Sequence, residues 1–273
     1  MKSALFLTLA LLCQPLLGEE KKAATDFIRV KRTEKEALLQ PAITTYQKDG
    51  ITVTLIGAIH LADKAYYQDL TTRFQKFDRL LFEMIGGESL AAPKSDQEEA
   101  APTEHPLARV YAMVGTFLKL ADQKSQIDYT AKNFVHADLT ATEFKKLQEE
   151  REESILSFAL DASENSDTAK QPSTEALMQA LLSGDPNRSK LLLIDALAEG
   201  DEAVAGLTGQ SVIITDRNAK CLKVLTAEIA KGHKSLGIFY GAAHFPDMEK
   251  SLLKLGYKMT QQEWTTAWTV PKT

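Results

Sequence analysis

Two of the five histidines in this chain occur in the same setting. Gly57-Ala58-Ile59-His60-Leu61-Ala62-Asp63 and Gly241-Ala242-Ala243-His244-Phe245-Pro246-Asp247 both read Gly-Ala-x-His-apolar-x-Asp. Composition alone gives about 0.3 Gly-x-x-His pairs in a chain of this make-up. Two pairs that also share an alanine and an aspartate therefore carry information. Paired neutral imidazoles with one carboxylate are a ligand set for zinc, manganese, cobalt or iron, with a position left open for water. Such an ion lowers the pKa of the bound water and polarises a carbonyl.

The candidate carboxylate is Glu83. It lies within Leu80-Leu81-Phe82-Glu83-Met84-Ile85, and an acid in an apolar strand is costly unless it is paired or ligating. It is a third metal ligand or a general base. Arg217 is its candidate partner, as a buried ion pair. Alternatively Arg217 binds a substrate carboxylate or stabilises an oxyanion. His136 is a further candidate, as ligand or substrate contact, with Asp138 as its orienting partner. The ordinary alternative is that each glycine only makes a tight turn and each histidine packs a strand end.

These side chains need elements to carry them. Ile51 to Ile56 alternates and is β-branched, which predicts a strand. A helix follows from Asp63, its natural N-cap, with Tyr66, Leu70, Phe74 and Phe77 on one face. Asp78 to Met84 reads as the next strand. Strand, helix, strand at this spacing predicts a parallel pair with a right-handed crossover. His60 and Glu83 then emerge at one edge of the sheet, where open α/β sheets place their chemistry.

Gly86 to Pro106 and Asp161 to Thr174 read as polar loops. Helices are expected at Leu107 to Leu120, Thr140 to Leu156, Thr174 to Leu182 and Asn187 to Glu199, with a capping box at Thr140 and Glu143. Ile127 to Tyr129 and Asn133 to Asp138 read as irregular or partly extended. Near the C-terminus a helix from Asp216, a strand from Lys234 to Tyr240 and a helix after His244 resume the first pattern. Pro246 suits the first turn of that last helix. The tail with Trp264 and Trp268 reads as closing strands. The fold class expected is α/β (α+β): a mixed sheet core from two related halves, each ending in Gly-x-x-His, with a helical insertion at about 107–200.

At 273 residues with a formal charge of −5, the chain lacks the basic footprint of a nucleic-acid binder. Lys2, an apolar run from Ala4 to Leu17, Gly18 and then Glu19-Glu20-Lys21-Lys22 read as a signal peptide over 1–18. The run is too short to favour a permanent span. This predicts an extracytoplasmic location, periplasmic or secreted, with no stable membrane span after cleavage. Residues 19–42 read as a linker or extension and 43–270 as one domain. Without Cys13, Cys221 is the only cysteine, so no intramolecular disulfide is expected. Its spacing with Leu222, Leu225 and Ile229 indicates packing.

The two Gly-x-x-His motifs, Glu83 at a strand end and the Asp216-Arg217-Asn218 segment together resemble the TraB/PrgY/GumN family, which includes the Tiki metalloproteases. The core pattern is also similar to erythromycin esterase-like and ChaN-like proteins. The resemblance covers roughly residues 43 to 268, outside the two polar loops. It implies an α/β core whose halves each present a Gly-x-x-His, with His60, Glu83, Arg217 and His244 at the motif positions. For Tiki-like members it implies peptide hydrolysis with a divalent metal. The function expected is an exported metal-dependent hydrolase acting on a peptide or small molecule, with zinc, manganese or cobalt at His60, His244 and Glu83. The alternative is a non-catalytic protein that binds a peptide, or a metal complex such as haem, in the same cleft.

Overall fold

A computed structural model describes residues 25–90, 106–153, 173–206 and 211–272. The signal segment 1–18, His105 and most of both polar loops lie outside the described residues. The described chain builds one eight-stranded mixed sheet with helices, as the α/β (α+β) reading expects.

The strands are β1 (Ile28–Arg32), β2 (Glu36–Lys48), β3 (Ile51–Ala58), β5 (Arg79–Phe82), β7 (Phe134–His136), β8 (Ser235–Gly241), β9 (Lys258–Trp264) and β10 (Trp268–Pro271); β4 (Leu61–Ala62) and β6 (Ala121–Asp122) form a separate pair. The helices are α1 (Lys64–Phe74), α2 (Pro106–Leu118), α3 (Gln123–Gln126), α4 (Ala141–Arg151), α5 (Thr174–Leu182), α6 (Pro186–Gly206), α7 (Arg217–Ala230) and α8 (Phe245–Lys254). The sheet runs β1-β2-β3-β8-β5-β7, with β9 and β10 also pairing with β2. Much of the segment 19–42, expected as a linker, is thus sheet: β1 and the first half of β2 come from it.

The central fact for function is that β3, β8, β5 and β7 are mutually parallel neighbours. β3 and β5 are parallel as expected, but they are not paired. β8 lies between them, so α1 crosses over one strand position. The reason is Gly237. A Cβ there would meet Leu80 Cδ1 at 2.5 Å and Phe77 Cδ2 at 3.1 Å, so β8 can be inserted only with a bare backbone at that point. Asp78 ties the two strand starts together, its Oδ2 accepting the amides of Lys234 and Ser235 at 2.9 Å each. The core filling both sides is aromatic and aliphatic, with Tyr66, Tyr67, Phe74, Phe82, Phe239 and Phe245 almost wholly buried. Cys221 is fully buried as a packing residue, and burial pushes its thiol up.

Several local expectations are met. Thr140 and Glu143 form the capping box of α4, at 3.1 and 2.9 Å. Pro246 sits in the first turn of α8. Asp63 occupies the cap position of α1, but its carboxylate does not cap; it accepts the Thr269 amide at 2.7 Å and so anchors β10 instead. The stretch around Asn133 to Asp138 is more ordered than its sequence suggests, because β7 extends the parallel sheet beside β5. Among the described residues no helix is long and apolar enough to cross a membrane.

Candidate functional site

The C-terminal ends of four adjacent parallel strands deliver the candidate residues in spatial order. His60 follows β3, His244 follows β8, Glu83 follows β5, and His136 ends β7. Neighbouring strands lie about 4.8 Å apart, so His244 is central and His60 and Glu83 flank it. In the register of β3 on β8, Ala58 faces Gly241, which sets the two Gly-x-x-His turns side by side.

The His60 turn is tightly held by its own backbone. Tyr66 donates to the Gly57 carbonyl, Tyr67 to Ile59 at 2.8 Å, the Gln123 amide to His60 at 2.9 Å and Trp268 Nε1 to Leu61 at 2.6 Å. Four of the five positions from Gly57 to Leu61, all but Ala58, thus have fixed carbonyls, while the His60 side chain itself is exposed. Gly57 is required by packing. A Cβ there would stand 2.8 Å from Pro41 Cβ.

His60 Nδ1 lies 3.1 Å from Gln123 Oε1, and Gln123 in turn donates to Tyr129 at 2.8 Å. His244 Nδ1 lies 2.7 Å from Asn218 Oδ1. The Asn218 amide is oriented without ambiguity, because its Nδ2 donates to the His244 carbonyl at 3.1 Å and to Asp247 Oδ2 at 2.8 Å. His244 therefore directs its Nδ1 proton at a side-chain carboxamide oxygen, and His60 Nδ1 faces the Gln123 side chain in the corresponding place. In the neutral ring, Nε2 then carries the lone pair. Such partners orient a metal-bound histidine through its second nitrogen.

Glu83 sits at the meeting point. Its Oε1 accepts from Arg217 Nη2 at 2.7 Å, its Oε2 accepts the Gly241 amide at 2.6 Å, and Oε1 lies 3.7 Å from His244 Nε2. Burial raises the carboxyl's pKa, but Arg217, the two histidines and the Gly241 amide outweigh it and hold the group far below the carboxylate range. His244 goes the other way: burial lowers it to about 4 against the pull of Glu83. At neutral pH His244 is therefore neutral, and Arg217 with the Gly241 amide keeps Glu83 ionised.

Arg217 uses four of its five N–H groups. Nε and Nη2 fork onto Asp138 at 2.9 and 2.6 Å, Nη2 also reaches Glu83, and Nη1 faces the Ile213 carbonyl at 3.4 Å. Asp138 is fully buried. It serves Arg217, so it is not the orienting partner expected for His136. His136 instead puts Nε2 2.7 Å from the Met84 carbonyl and packs against Phe82. Its contact is with the backbone following Glu83, which makes it a brace of the strand end. Arg217 follows a π-helical turn, Val212–Asp216, a device common at functional sites. Glu153 pins that turn, accepting from Ser211 Oγ at 2.9 Å and the Val212 amide at 3.0 Å.

The donor set suits a divalent cation in residue type, ionisation and tautomer. As placed, however, among the described residues no three His, Cys, Asp or Glu side chains stand close enough together to hold an ion. Asn218, Gln123, Tyr129 and Glu153 were not legible as site residues. Only Asn218 carries a signal, as the neighbour of Arg217 in Asp216-Arg217-Asn218. No protein-family profile, curated protein or solved structure matches this chain.

Proposed function

We propose that this chain is an exported metal-dependent hydrolase of peptide-like bonds, of the kind its motifs resemble in the TraB/PrgY/GumN group. One observation carries the reading. Two histidines on adjacent strand ends are each tied at Nδ1 by a carboxamide oxygen, around a carboxylate held ionised.

His60, His244 and Glu83 would hold the ion, which supplies a bound water of lowered pKa and a Lewis-acid contact to the scissile carbonyl. Hydrolysis adds water across the C–N bond, hydroxyl to the acyl carbon and proton to the departing amine. Glu83 contributes as an anion. Both its oxygens receive donors and its pKa is strongly depressed, which makes it a poor general base. Arg217 is a positioning residue: it fixes the Glu83 carboxylate, and its guanidinium is committed to Asp138, Glu83 and the Ile213 carbonyl. The His60 side chain is the exposed one of the three and so the one that faces solvent.

The competing reading, a non-catalytic binder of a peptide or a metal complex, is favoured by the saturation of Glu83. Turnover separates the two. The purified chain is incubated with a mixture of peptides and zinc, manganese or cobalt, and cleavage is read by mass spectrometry. Cleavage that is lost on chelation and in His60→Ala supports the hydrolase. Absence of cleavage with all three metals overturns it and leaves the binder.

A further inference from the structure

Gln123 is placed by the short strand pair that follows the first motif. β4 and β6 pair Leu61 with Asp122 and Ala62 with Ala121, and the next residue, Gln123, opens α3. The Gln123 amide donates to the His60 carbonyl at 2.9 Å, so its buried side chain starts beside the His60 ring. Among the described residues its carboxamide has two contacts. Oε1 lies 3.1 Å from His60 Nδ1, and Nε2 donates to the Tyr129 hydroxyl at 2.8 Å.

The two ends of a carboxamide have nearly the same shape and opposite hydrogen-bonding roles. What anchors the far end decides which end meets the imidazole. At His244 the anchors are pure acceptors, the His244 carbonyl and Asp247 Oδ2, so Asn218 must turn its oxygen to the ring. At His60 the corresponding anchor is a hydroxyl. When Tyr129 accepts from Gln123, the Gln123 oxygen faces His60, the ring proton sits on Nδ1 and the ring Nε2 keeps its lone pair. With the carboxamide reversed, its nitrogen would donate to the ring Nδ1. The ring proton would then move to the ring Nε2 and leave no lone pair there for an ion. Tyr129 is itself firmly held. Its ring centroid lies 5.0 Å from that of Phe82 and 5.9 Å from that of Phe134, and Asp128 Oδ1 closes the adjoining turn on the Thr130 amide at 2.9 Å. Burial pushes the Tyr129 hydroxyl up to about 12, so it stays a neutral phenol.

We infer that Tyr129 is a positioning residue: it holds the Gln123 carboxamide with its oxygen on His60 and so keeps the His60 Nε2 lone pair available. For the use of that lone pair this rests on the metal-site reading, and it adds a residue outside both motifs to the machinery. It also gives the two histidines different characters. The His244 tautomer is locked by acceptors that cannot change role. The His60 tautomer depends on a hydroxyl that can either accept or donate.

The test reads the tautomers directly, by nitrogen NMR of the histidine rings in the metal-free full chain at pH 8, assigned with His60→Gln and His244→Gln. The parent is expected to carry the proton on Nδ1 at both His60 and His244. Tyr129→Phe keeps the aromatic packing and removes only the hydroxyl. It should move a large share of His60 to the Nε2–H form while His244 stays as it was, and weaken zinc binding about ten-fold or more. Gln123→Glu in the Tyr129→Phe background offers an acceptor at either oxygen, so it should return the proton to Nδ1 and recover most of the affinity. A parent His60 protonated on Nε2, a His60 tautomer unchanged in Tyr129→Phe, or a shift of both histidines together would overturn the inference. The tautomer is read without metal or substrate, so this test fails separately from the turnover assay. A chain that binds no zinc and cleaves nothing still shows whether Tyr129 sets the His60 proton.

Discussion

Arg217 Nη2 lies 2.7 Å from Oε1 of Glu83 and 2.6 Å from Oδ2 of Asp138. One guanidinium thereby joins the ends of β5 and β7 and fixes the carboxylate on which the site depends. Removing it strands Asp138, which is fully buried. Arg217→Met is expected to destabilise the fold by about 3–5 kcal/mol. Arg217→Lys keeps the charge but loses the fork onto Asp138 and should still be clearly destabilised. Urea denaturation of both variants checks this. Stabilities within 0.5 kcal/mol of the parent, roughly the spread of neutral surface changes, would show that the pair is dispensable.

Stability should fall as the medium is acidified, in two overlapping steps. His244 has a folded pKa of about 4 against an ordinary 6.5. Between those values the unfolded chain binds a proton that the folded chain refuses, so stability drops as pH falls from 6.5 toward 4, by on the order of 3 kcal/mol. Glu83 is depressed below its ordinary 4.5. Its contribution is present above that value and is lost as pH falls further. Urea midpoints at pH 7, 5.5 and 4.5 should decline in that order, and His244→Gln should flatten the upper part of the curve. A midpoint independent of pH in the parent would contradict the assignment.

The two motif glycines have different physical reasons. Gly57 is closed off by Pro41 Cβ at 2.8 Å, whereas a Cβ on Gly241 would meet Glu83 Oε2 at 3.5 Å, an ordinary contact. Gly57→Ala is therefore expected to destabilise by about 1–3 kcal/mol through overpacking. Gly241→Ala should be tolerated and should keep its amide on Glu83. Thermal melting of the pair checks the order, and a larger loss for Gly241→Ala would reverse the reading.

Asn218 acts on His244 alone through its oxygen, at 2.7 Å. Asn218→Ala removes the group that orients the ring and should weaken metal affinity about 10–100-fold. Asn218→Asp keeps an acceptor at that point and should recover most of the affinity. Metal titration of both proteins measures the split. Equal affinity in Asn218→Ala would mean that the tautomer is not being selected for a ligand.

Strand positions at the sheet's centre were legible because alternation and β-branching at Ile51 to Ile56 leave little choice. The shared edge for His60 and Glu83 followed from strand direction alone. The insertion of β8 between β3 and β5 was not legible. It depends on Gly237 admitting Leu80 and Phe77, a contact between segments about 160 residues apart. β1 and the first half of β2 were missed for a related reason: their pairing partners lie partly at the far C-terminus, in β10. In the site, Glu83 and Arg217 could be proposed as partners because a charge in an apolar strand needs one. Asn218, Gln123 and Asp138 take their roles from neutral or local-looking residues, and no pattern along the chain announces a carboxamide that will meet a particular imidazole.

The most direct test is a titration of zinc, manganese and cobalt into the purified full chain, its His60→Ala and His244→Ala variants, and the double variant. If both rings and Glu83 hold one ion, as proposed, the parent binds one tight ion per chain, lost in each single variant, with no further loss in the double. No ion bound by the parent, or parent-like affinity retained in either single variant, would contradict the shared site.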